Sequence, residues 1–291
     1  MDFKFVENKV SNTCIISAVK RAKRPKAKPG VEPICPFCPG REANDPEVFR
    51  IGGQEGDANW QVRVIKNKYP FAPIHEVVIH SPDHHKGFNE LPTFHTELVL
   101  NTYMQRYNTH RDKGWVYIFH NSGLGSGESL PHPHSQIAVV PNNIVMDIQR
   151  LNTPARGEET QETSKFIIYC PLSSQWPEEI WIFPKNRGRT YGEIEDEEIT
   201  DLAKILYRLV QIVDLRHGHE FPYNFYIYPG YDWYLRIIPR VKTLGGFELG
   251  TGIFVNTQDP KETIKFIKTH FDSPDELLIK TKHQANYRKG A

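Results

Sequence analysis

The segments of the first half of this sequence recur in the same order in the second half, and this repeat most limits the possible folds. Each copy contains a strand-like apolar run, a loop, an amphipathic helix, a second strand, a turn and a third strand that ends at Pro141 or Pro239. One copy alone is too small to bury a sheet well, so the two copies are expected to share a core. The repeat predicts an α+β fold of duplicated units, with helices packed on antiparallel sheets.

The repeat also predicts a boundary and pairs the segments of the two copies. We expect an N-terminal half at residues 1–160 and a C-terminal half at residues 161–291. The run HEVVIHS is matched by EIWIFPK, and residues 116–122 are matched by residues 224–230. Equivalent segments are therefore expected to lie at equivalent places in the two halves.

Each half contains one long helix with an apolar stripe. The first is predicted over residues 93–111, with Phe94, Leu98 and Tyr103 facing the core. The second is capped by Gly218. Its inward positions recur at helical spacing: Ile199, Leu202, Ile205 or Leu206, Leu209 and Val213.

Length and composition exclude several classes of protein. Of the 291 residues, 38% are hydrophobic and 12% aromatic, which is enough to bury a core and excludes wholesale disorder. No window approaches 18 consecutive apolar residues, and the first ten residues lack the apolar stretch of a signal peptide. The net charge of +1 creates no overall field toward nucleic acid or membranes. We expect a soluble cytoplasmic protein that binds neither.

A Cys-x-x-Cys pair indicates a metal site. The chain has four cysteines, too few for a disulfide framework, and the two-residue gap between Cys35 and Cys38 lets both thiolates bind one ion. Two further ligands, His132 and either His84 or His85, would complete a closed structural site. A redox pair or two ordinary buried cysteines are the alternatives. No strand-turn-helix pattern follows CPFC, so zinc is favoured.

A polar row begins the third strand of the first copy, in PHPHSQIAVV. His132, His134 and Gln136 alternate, so they are expected on one face of the strand. If an ion holds His132, then His134 is available as a nucleophile toward phosphorus. An amide at Gln136 can hydrogen-bond phosphoryl oxygens but cannot transfer a proton near neutral pH, which favours a phosphate acceptor over water.

The second copy does not retain this polar row. Asp232, Tyr234 and Arg236 stand at the corresponding positions. Catalysis is therefore expected in the first half, and the second half is expected to supply a floor or substrate contacts.

A glycine-rich stretch, SGLGSGES, directly precedes the histidines. Gly123, Gly125 and Gly127 would bring backbone N–H groups close to a phosphate, and Ser129 adds a hydroxyl. The stretch is neither a P-loop nor a dinucleotide fingerprint, because both spacings are missing. Its place ahead of the histidine strand favours phosphate binding.

Taken together, these motifs resemble the galactose-1-phosphate uridylyltransferase family of the histidine-triad superfamily. The shared stretches occur in the family's order: KRAKRP, CPFCPG, SPDHHKGFNELP, HNSGLGSGESLPHPHSQI, FPYNFYIY and GGFELGTG. The resemblance implies two histidine-triad-like halves and a homodimer. It also implies ping-pong transfer of UMP, through a uridylyl-histidine, between a nucleotide sugar and a hexose 1-phosphate.

The resemblance further implies roles for individual residues. His134 would be the nucleophile, with Gln136 and Ser129 as phosphate contacts. The metal ligands would be Cys35, Cys38, His84 and His132, with His84 preferred over His85. The substrate-binding residues would be Arg21, Arg24, Asn67, Asn121, Gly125, Gly127, Lys242, Phe247 and Glu248.

Departures from the family pattern bear on metal content and substrate. Tyr228, Arg236 and Ile238 stand near the ligand positions of a second metal site in some members, so that site is predicted to be missing. GGFELGTG and DWYLRIIPR are closer to ADP-glucose phosphorylase relatives, which keeps an adenylyl transfer to inorganic phosphate as an alternative. A zinc-stabilised nucleotide-binding module without turnover is a third interpretation, supported only by the basic run KRAKRPKAKPG. Zinc and iron both remain possible ions.

Overall fold

The computed structural model describes residues 3–8, 13–23 and 35–272. The strands are β1 (Lys4–Asn8), β2 (Thr13–Ser17), β3 (Glu47–Ile51), β4 (Val62–Lys66), β5 (Ile74–Ile79), β6 (Trp115–Ser122), β7 (His134–Val140), β8 (Gln161–Glu162), β9 (Phe166–Tyr169), β10 (Ile180–Pro184), β11 (Tyr223–Ile227) and β12 (Leu235–Pro239). The helices are α1 (Thr93–His110), α2 (Asp196–His217), α3 (Gly246–Thr251) and α4 (Pro260–His270).

Ten strands form one antiparallel sheet that contains both copies of the repeat. Its order is β3-β4-β5-β7-β6-β11-β12-β10-β9-β8, while β1 and β2 form a separate hairpin. The second copy, taken from the β8 edge, has the same order as the first copy taken from the β3 edge. The copies join where β6 pairs with β11, with Phe119 opposite Tyr226. The sheet therefore has an approximate two-fold axis at its centre. The boundary between the two halves near residue 160 stays a prediction.

Helices α1 and α2 share one apolar core with the sheet. The inward residues predicted for α2 are all buried, and the N–H of Gly218 donates to the carbonyl of Asp214 at 2.8 Å. The bounds of α1 agree with the prediction to within a residue, and Tyr103 is buried. The inward placement of Phe94 is wrong, since 60% of its surface is exposed. The buried stripe of α1 runs through Val99, Tyr103 and Tyr107 at helical spacing, which leaves position 94 outside it.

The polar row of β7 lies on the sheet face opposite the helices. Ile137 and Val139 belong to the helix-side core, so the alternating residues His134 and Gln136 point to the other face. A smaller apolar cluster around Phe37 covers that face in the first copy. Within the described part of the chain, no helix has the length and apolar character needed to cross a membrane.

Candidate active site

Two thiols and two imidazoles converge beside the start of β7. The Nδ1 atom of His84 lies 3.2 Å from Sγ of Cys38, and Nδ1 of His132 lies 3.6 Å from Sγ of Cys35 and 3.7 Å from Sγ of Cys38. All four ligand atoms lie within 4.8 Å of one another. Among residues 3–8, 13–23 and 35–272, no other group of three or more His, Cys, Asp or Glu side chains is placed so that it could hold a metal ion. The structure brings His84, rather than His85, into it.

The spacing of these atoms fits a metal ion with tetrahedral coordination. With Zn–S near 2.3 Å and Zn–N near 2.05 Å, a tetrahedral site separates sulfur from nitrogen by about 3.6 Å. The observed separations of 3.2–3.7 Å lie around that value. In addition, Nε2 of His132 donates to the carbonyl of Ser81 at 2.8 Å, so Nδ1 faces the thiols as an acceptor. The four residues can hold a metal ion.

The same histidine orients the next residue of the polar row. The carbonyl of His132 accepts a hydrogen bond from Nδ1 of His134 at 2.8 Å. A ring that donates through Nδ1 in its neutral form carries its lone pair on Nε2. The ring of Phe37 packs against His134 with centroids 5.3 Å apart, and only 5% of the His134 surface is exposed. The His134 ring is thus held by the His132 carbonyl on one side and packed against Phe37.

Gln136 contacts two other side chains on the same face. Its Oε1 atom lies 3.0 Å from Nε2 of His75 and 3.4 Å from Nδ2 of Asn67. Asn67, predicted to contact the nucleoside, is thus a neighbour of Gln136. His75 was not identified from the sequence. It lies two residues before Val77, which is opposite Gln136, so His75 and Gln136 are diagonal neighbours in the sheet.

A buried polar network behind β7 was also missed by sequence reasoning. On the helix side, the Ser135 hydroxyl lies 2.8 Å from Nε2 of His80 and 2.5 Å from the hydroxyl of Tyr103. Nδ1 of His120 donates to the carbonyl of His134 at 2.9 Å. Burial lowers the pKa of His120 to about 3 and that of His80 well below its usual value. Both rings are neutral at pH 7, and the network fixes the backbone of His134 from behind.

The glycine-rich stretch forms the turn between β6 and β7. Gly123 and Gly127 have φ values of +77° and +85°, which favour glycine, and a Cβ atom on Gly125 would lie 3.2 Å from Pro222. The carboxylate of Glu128 accepts from the N–H of Gly123 at 2.9 Å. Burial raises the pKa of Glu128 to about 7, and Glu220 adds to the effect.

Asn121 joins this turn to the second copy. Its Oδ1 accepts from Nδ2 of Asn224 at 2.7 Å, and the same amide group donates to the carbonyl of Ser126 at 2.9 Å. Asn121 is on β6, beside the β7 strand that begins with His134, and Ser129 precedes the histidines as a half-buried residue. Asn121 therefore lies on the strand next to β7, and Ser129 lies in the chain just before it.

The other predicted substrate residues lie in two separate places. The guanidinium of Arg21 donates to the carbonyl of Tyr69 and lies 4.8 Å from the ring centre of Phe71, next to His75. Arg24 lies outside the described residues. Lys242 pairs with Glu248, and Phe247 is 55% exposed beside them. The described contacts of Lys242 are with its own segment, not with β7.

Comparison with known proteins gives a family and two kinds of relative. Residues 72–140 match the family described as galactose-1-phosphate uridyl transferase, N-terminal domain. The chain is 30% identical over 320 residues to ADP-glucose phosphorylase of Arabidopsis thaliana, covering 89% of this chain and 90% of the relative. It is 25% identical over 308 residues to galactose-1-phosphate uridylyltransferase of Thermotoga maritima, covering 90% and 96%.

Solved structures agree with these relatives. The crystal structure of ADP-glucose phosphorylase from Arabidopsis thaliana with bound ADP-glucose aligns with a TM-score of 0.70 and 26% identity, over 91% of this chain and 98% of that one. A uridylyltransferase structure aligns with a TM-score of 0.73 and 22% identity, over 92% and 98%. The predicted fold class is confirmed.

Proposed function

Since this chain belongs to the galactose-1-phosphate uridylyltransferase family, we propose that it transfers a nucleoside monophosphate from a nucleotide sugar to a second phosphate through His134. The chain is thus assigned to a family of nucleotidyltransferases that includes ADP-glucose phosphorylase. The observation that carries the proposal is the 2.8 Å hydrogen bond from Nδ1 of His134 to the carbonyl of His132. It leaves the nucleophilic lone pair on Nε2.

The reaction proceeds in two displacements at the phosphorus next to the nucleoside. Nε2 of His134 attacks that phosphorus, the bond to the bridging oxygen breaks, and the sugar 1-phosphate leaves. A phosphate oxygen of the acceptor then attacks the same phosphorus, and the P–N bond breaks. The amide of Gln136, the Ser129 hydroxyl and the N–H groups of the glycine-rich turn stabilise charge on the non-bridging oxygens. Gln136 cannot deliver a proton to water, which favours a phosphate as acceptor.

One metal ion per chain is part of the proposal. Cys35, Cys38, His84 and His132 would hold it, and the closed ligand set makes it structural. When bound, the ion fixes the His132 ring and so the carbonyl that orients His134. We propose zinc, and no second ion, since the charge of Arg236 already occupies the corresponding face of the second copy.

Two donor and acceptor pairs remain candidates for the substrates. ADP-glucose with inorganic phosphate is favoured by the 30% identity to a relative of that name. UDP-glucose with a hexose 1-phosphate, the pair expected from the sequence motifs, is supported by the 25% identical relative from Thermotoga maritima. Both use the same covalent step at His134.

A homodimer would complete the proposal for the sugar site. Lys242, Phe247 and Glu248 belong to a segment, residues 241–255, with several large apolar side chains in solvent: Val241, Phe247, Leu249, Ile253 and Val255. Such a surface is typical of an interface. We propose that this segment contacts the hexose phosphate at a subunit boundary.

Product analysis with label in the nucleoside-linked phosphate tests the proposed function. The protein is incubated with labelled ADP-glucose or UDP-glucose, with and without phosphate or galactose 1-phosphate. We expect one nucleotide to label the protein in a bond that survives alkaline denaturation, and the matching acceptor to discharge it. If neither nucleotide labels the protein and neither donor is consumed, the chain is a binding module without turnover.

A further inference from the structure

Two hydrogen-bond donors converge on one oxygen of Gln136. The Oε1 atom lies 3.0 Å from Nε2 of His75 and 3.4 Å from Nδ2 of Asn67. The oxygen and the nitrogen of a side-chain amide have similar shapes. Which of the two Gln136 atoms faces His75 and Asn67 therefore depends on the protons that these neighbours carry. The protons of both neighbours can be assigned from backbone contacts.

The backbone fixes the orientation of Asn67. Its Oδ1 atom accepts from the N–H of Tyr69 at 2.8 Å. A backbone N–H can only donate, so the oxygen of the Asn67 amide must face it. The nitrogen of that amide then faces Gln136 as a donor.

The backbone also fixes the tautomer of His75. The N–H of Phe71 donates to Nδ1 of His75 at 3.3 Å, so Nδ1 carries no proton. The neutral ring then has its proton on Nε2, which lies 3.0 Å from Oε1 of Gln136 and 3.2 Å from Nδ2 of Asn67. Since both nitrogens carry protons, the Gln136 oxygen is the acceptor that the two share. The ring of Phe71 packs against His75 with centroids 4.1 Å apart and holds it in place.

We propose that His75 is a positioning residue for the reaction, because it fixes the amide of Gln136 with oxygen inward and nitrogen toward the substrate. The opposite orientation would set the NH2 group of Gln136 against two donors. This inference rests on the proposed function, in which Gln136 donates to a phosphoryl oxygen. It assigns the order of contacts as Phe71 backbone, His75, Gln136 and then phosphate.

The test replaces His75 by one residue that lacks a side-chain N–H donor and by one that has such a donor. His75→Phe keeps a ring against Phe71 but has no N–H. We expect kcat for nucleotidyl transfer to fall about 10-fold, which means that about one Gln136 amide in ten keeps its nitrogen toward the phosphate when only the 3.4 Å contact with Asn67 holds its oxygen. KM for the nucleotide sugar should change less than about twofold. His75→Gln offers an N–H at a similar reach and should recover most of the rate.

A double mutant separates positioning from general damage to the fold. In a Gln136→Ala background, adding His75→Phe should change kcat less than about twofold, since the amide it orients is gone. An equal loss in both backgrounds would overturn the proposal. So would a wild-type kcat in His75→Phe.

A measurement without turnover keeps the proposal testable if the variants do not fold. Nitrogen-15 NMR of histidine in the wild-type protein should show His75 neutral with its proton on Nε2. A proton on Nδ1 would overturn the inference. Absence of a covalent label on wild-type protein would instead refute the proposed function, whereas labelling with an unaffected His75→Phe would refute only the role of His75.

Discussion

The two copies of the repeat make the same contact with different chemistry. In the first, the imidazole of His75 on β5 contacts the amide of Gln136 on β7 at 3.0 Å. In the second, Glu179 beside β10 contacts Arg236 on β12 at 2.6 Å as a buried ion pair. The strand registers make these positions equivalent, since Gln136 lies opposite Val77 and Arg236 lies opposite Trp181.

The position of the proposed nucleophile differs in the same way. Where the first copy has His134, the second has Tyr234, which is fully buried and stacked on Trp181 with centroids 4.3 Å apart. Its hydroxyl donates to the carbonyl of Gln149. The second copy thus uses these positions for a closed, aromatic core, while the first has imidazole and amide groups, which can accept and donate hydrogen bonds. In our proposal, the second half stabilises the sheet and the first half carries the reaction.

Removal of the proposed nucleophile should give the largest effect and the sharpest contrast between copies. His134→Ala should abolish covalent labelling. It should also lower turnover about 1,000-fold or more, because the nucleophile is lost. Tyr234→Phe, the matched change in the second copy, should leave turnover per folded protein unchanged. Both are measured by labelled product formation. A His134→Ala variant that keeps more than about a hundredth of the wild-type rate would argue against covalent catalysis.

Loss of a metal ligand should destabilise the first copy selectively. Cys38→Ser should lower metal content. It should also reduce the free energy of unfolding by roughly 3 kcal/mol or more, because a structural ion contributes folding free energy. Metal analysis and thermal unfolding check this, and hydrogen exchange should rise more in β5 and β7 than in β10 and β12. Cys14→Ser, outside the metal group, is the control. Full metal occupancy in Cys38→Ser would exclude this ligand set.

The fold and the metal group were accessible from the sequence because they depend on periodicity and on spacing. The alternation of β7 and the helical spacing of α2 follow from burial on one face. The segment match between residues 116–122 and residues 224–230 was wrong by one position, since the registers make Phe119 equivalent to Tyr226. A one-residue slip exchanges the faces of a strand, and uninterrupted apolar runs do not reveal it.

The partners of Gln136 were not accessible in that way. His75 stands in an ordinary strand, and its role depends on the backbone N–H of Phe71 and on the pairing of β5 with β7. The charged pair of Arg236 and Glu179, 57 residues apart in the chain, is likewise set by strand order. Sequence motifs indicate candidate reactive residues, whereas tertiary contacts decide how their side chains are oriented.

Breaking the ion pair of the second copy should affect stability without affecting the reaction. Arg236→Met leaves the Glu179 carboxylate buried without its guanidinium, which should cost about 3–5 kcal/mol of unfolding free energy. Arg187→Met, which removes a partly exposed pair with Asp232, should cost less than about 1 kcal/mol. Denaturant unfolding gives both values. A loss of turnover per folded molecule in Arg236→Met would contradict the division of roles between the copies.

The smallest expected effect concerns the acids in the two β-turns. Burial raises the pKa of Glu128 to about 7, so its folded form favours the proton and its destabilising effect appears as the pH rises from 4.5 through 7. Asp232, in the turn before β12, has a pKa below its usual value because the N–H of Gly188 and the Arg187 side chain stabilise its charge; its contribution is lost only at lower pH. Glu128→Gln keeps an acceptor for Gly123 and should raise stability at pH 8 relative to pH 5 by about 1–2 kcal/mol, allowing for partial exposure. Asp232→Asn should instead lower stability by a constant amount across that range, and thermal unfolding at both pH values distinguishes the two slopes. Equal slopes would mean that the turn beside the nucleophile and its counterpart in the second copy have the same electrostatic environment.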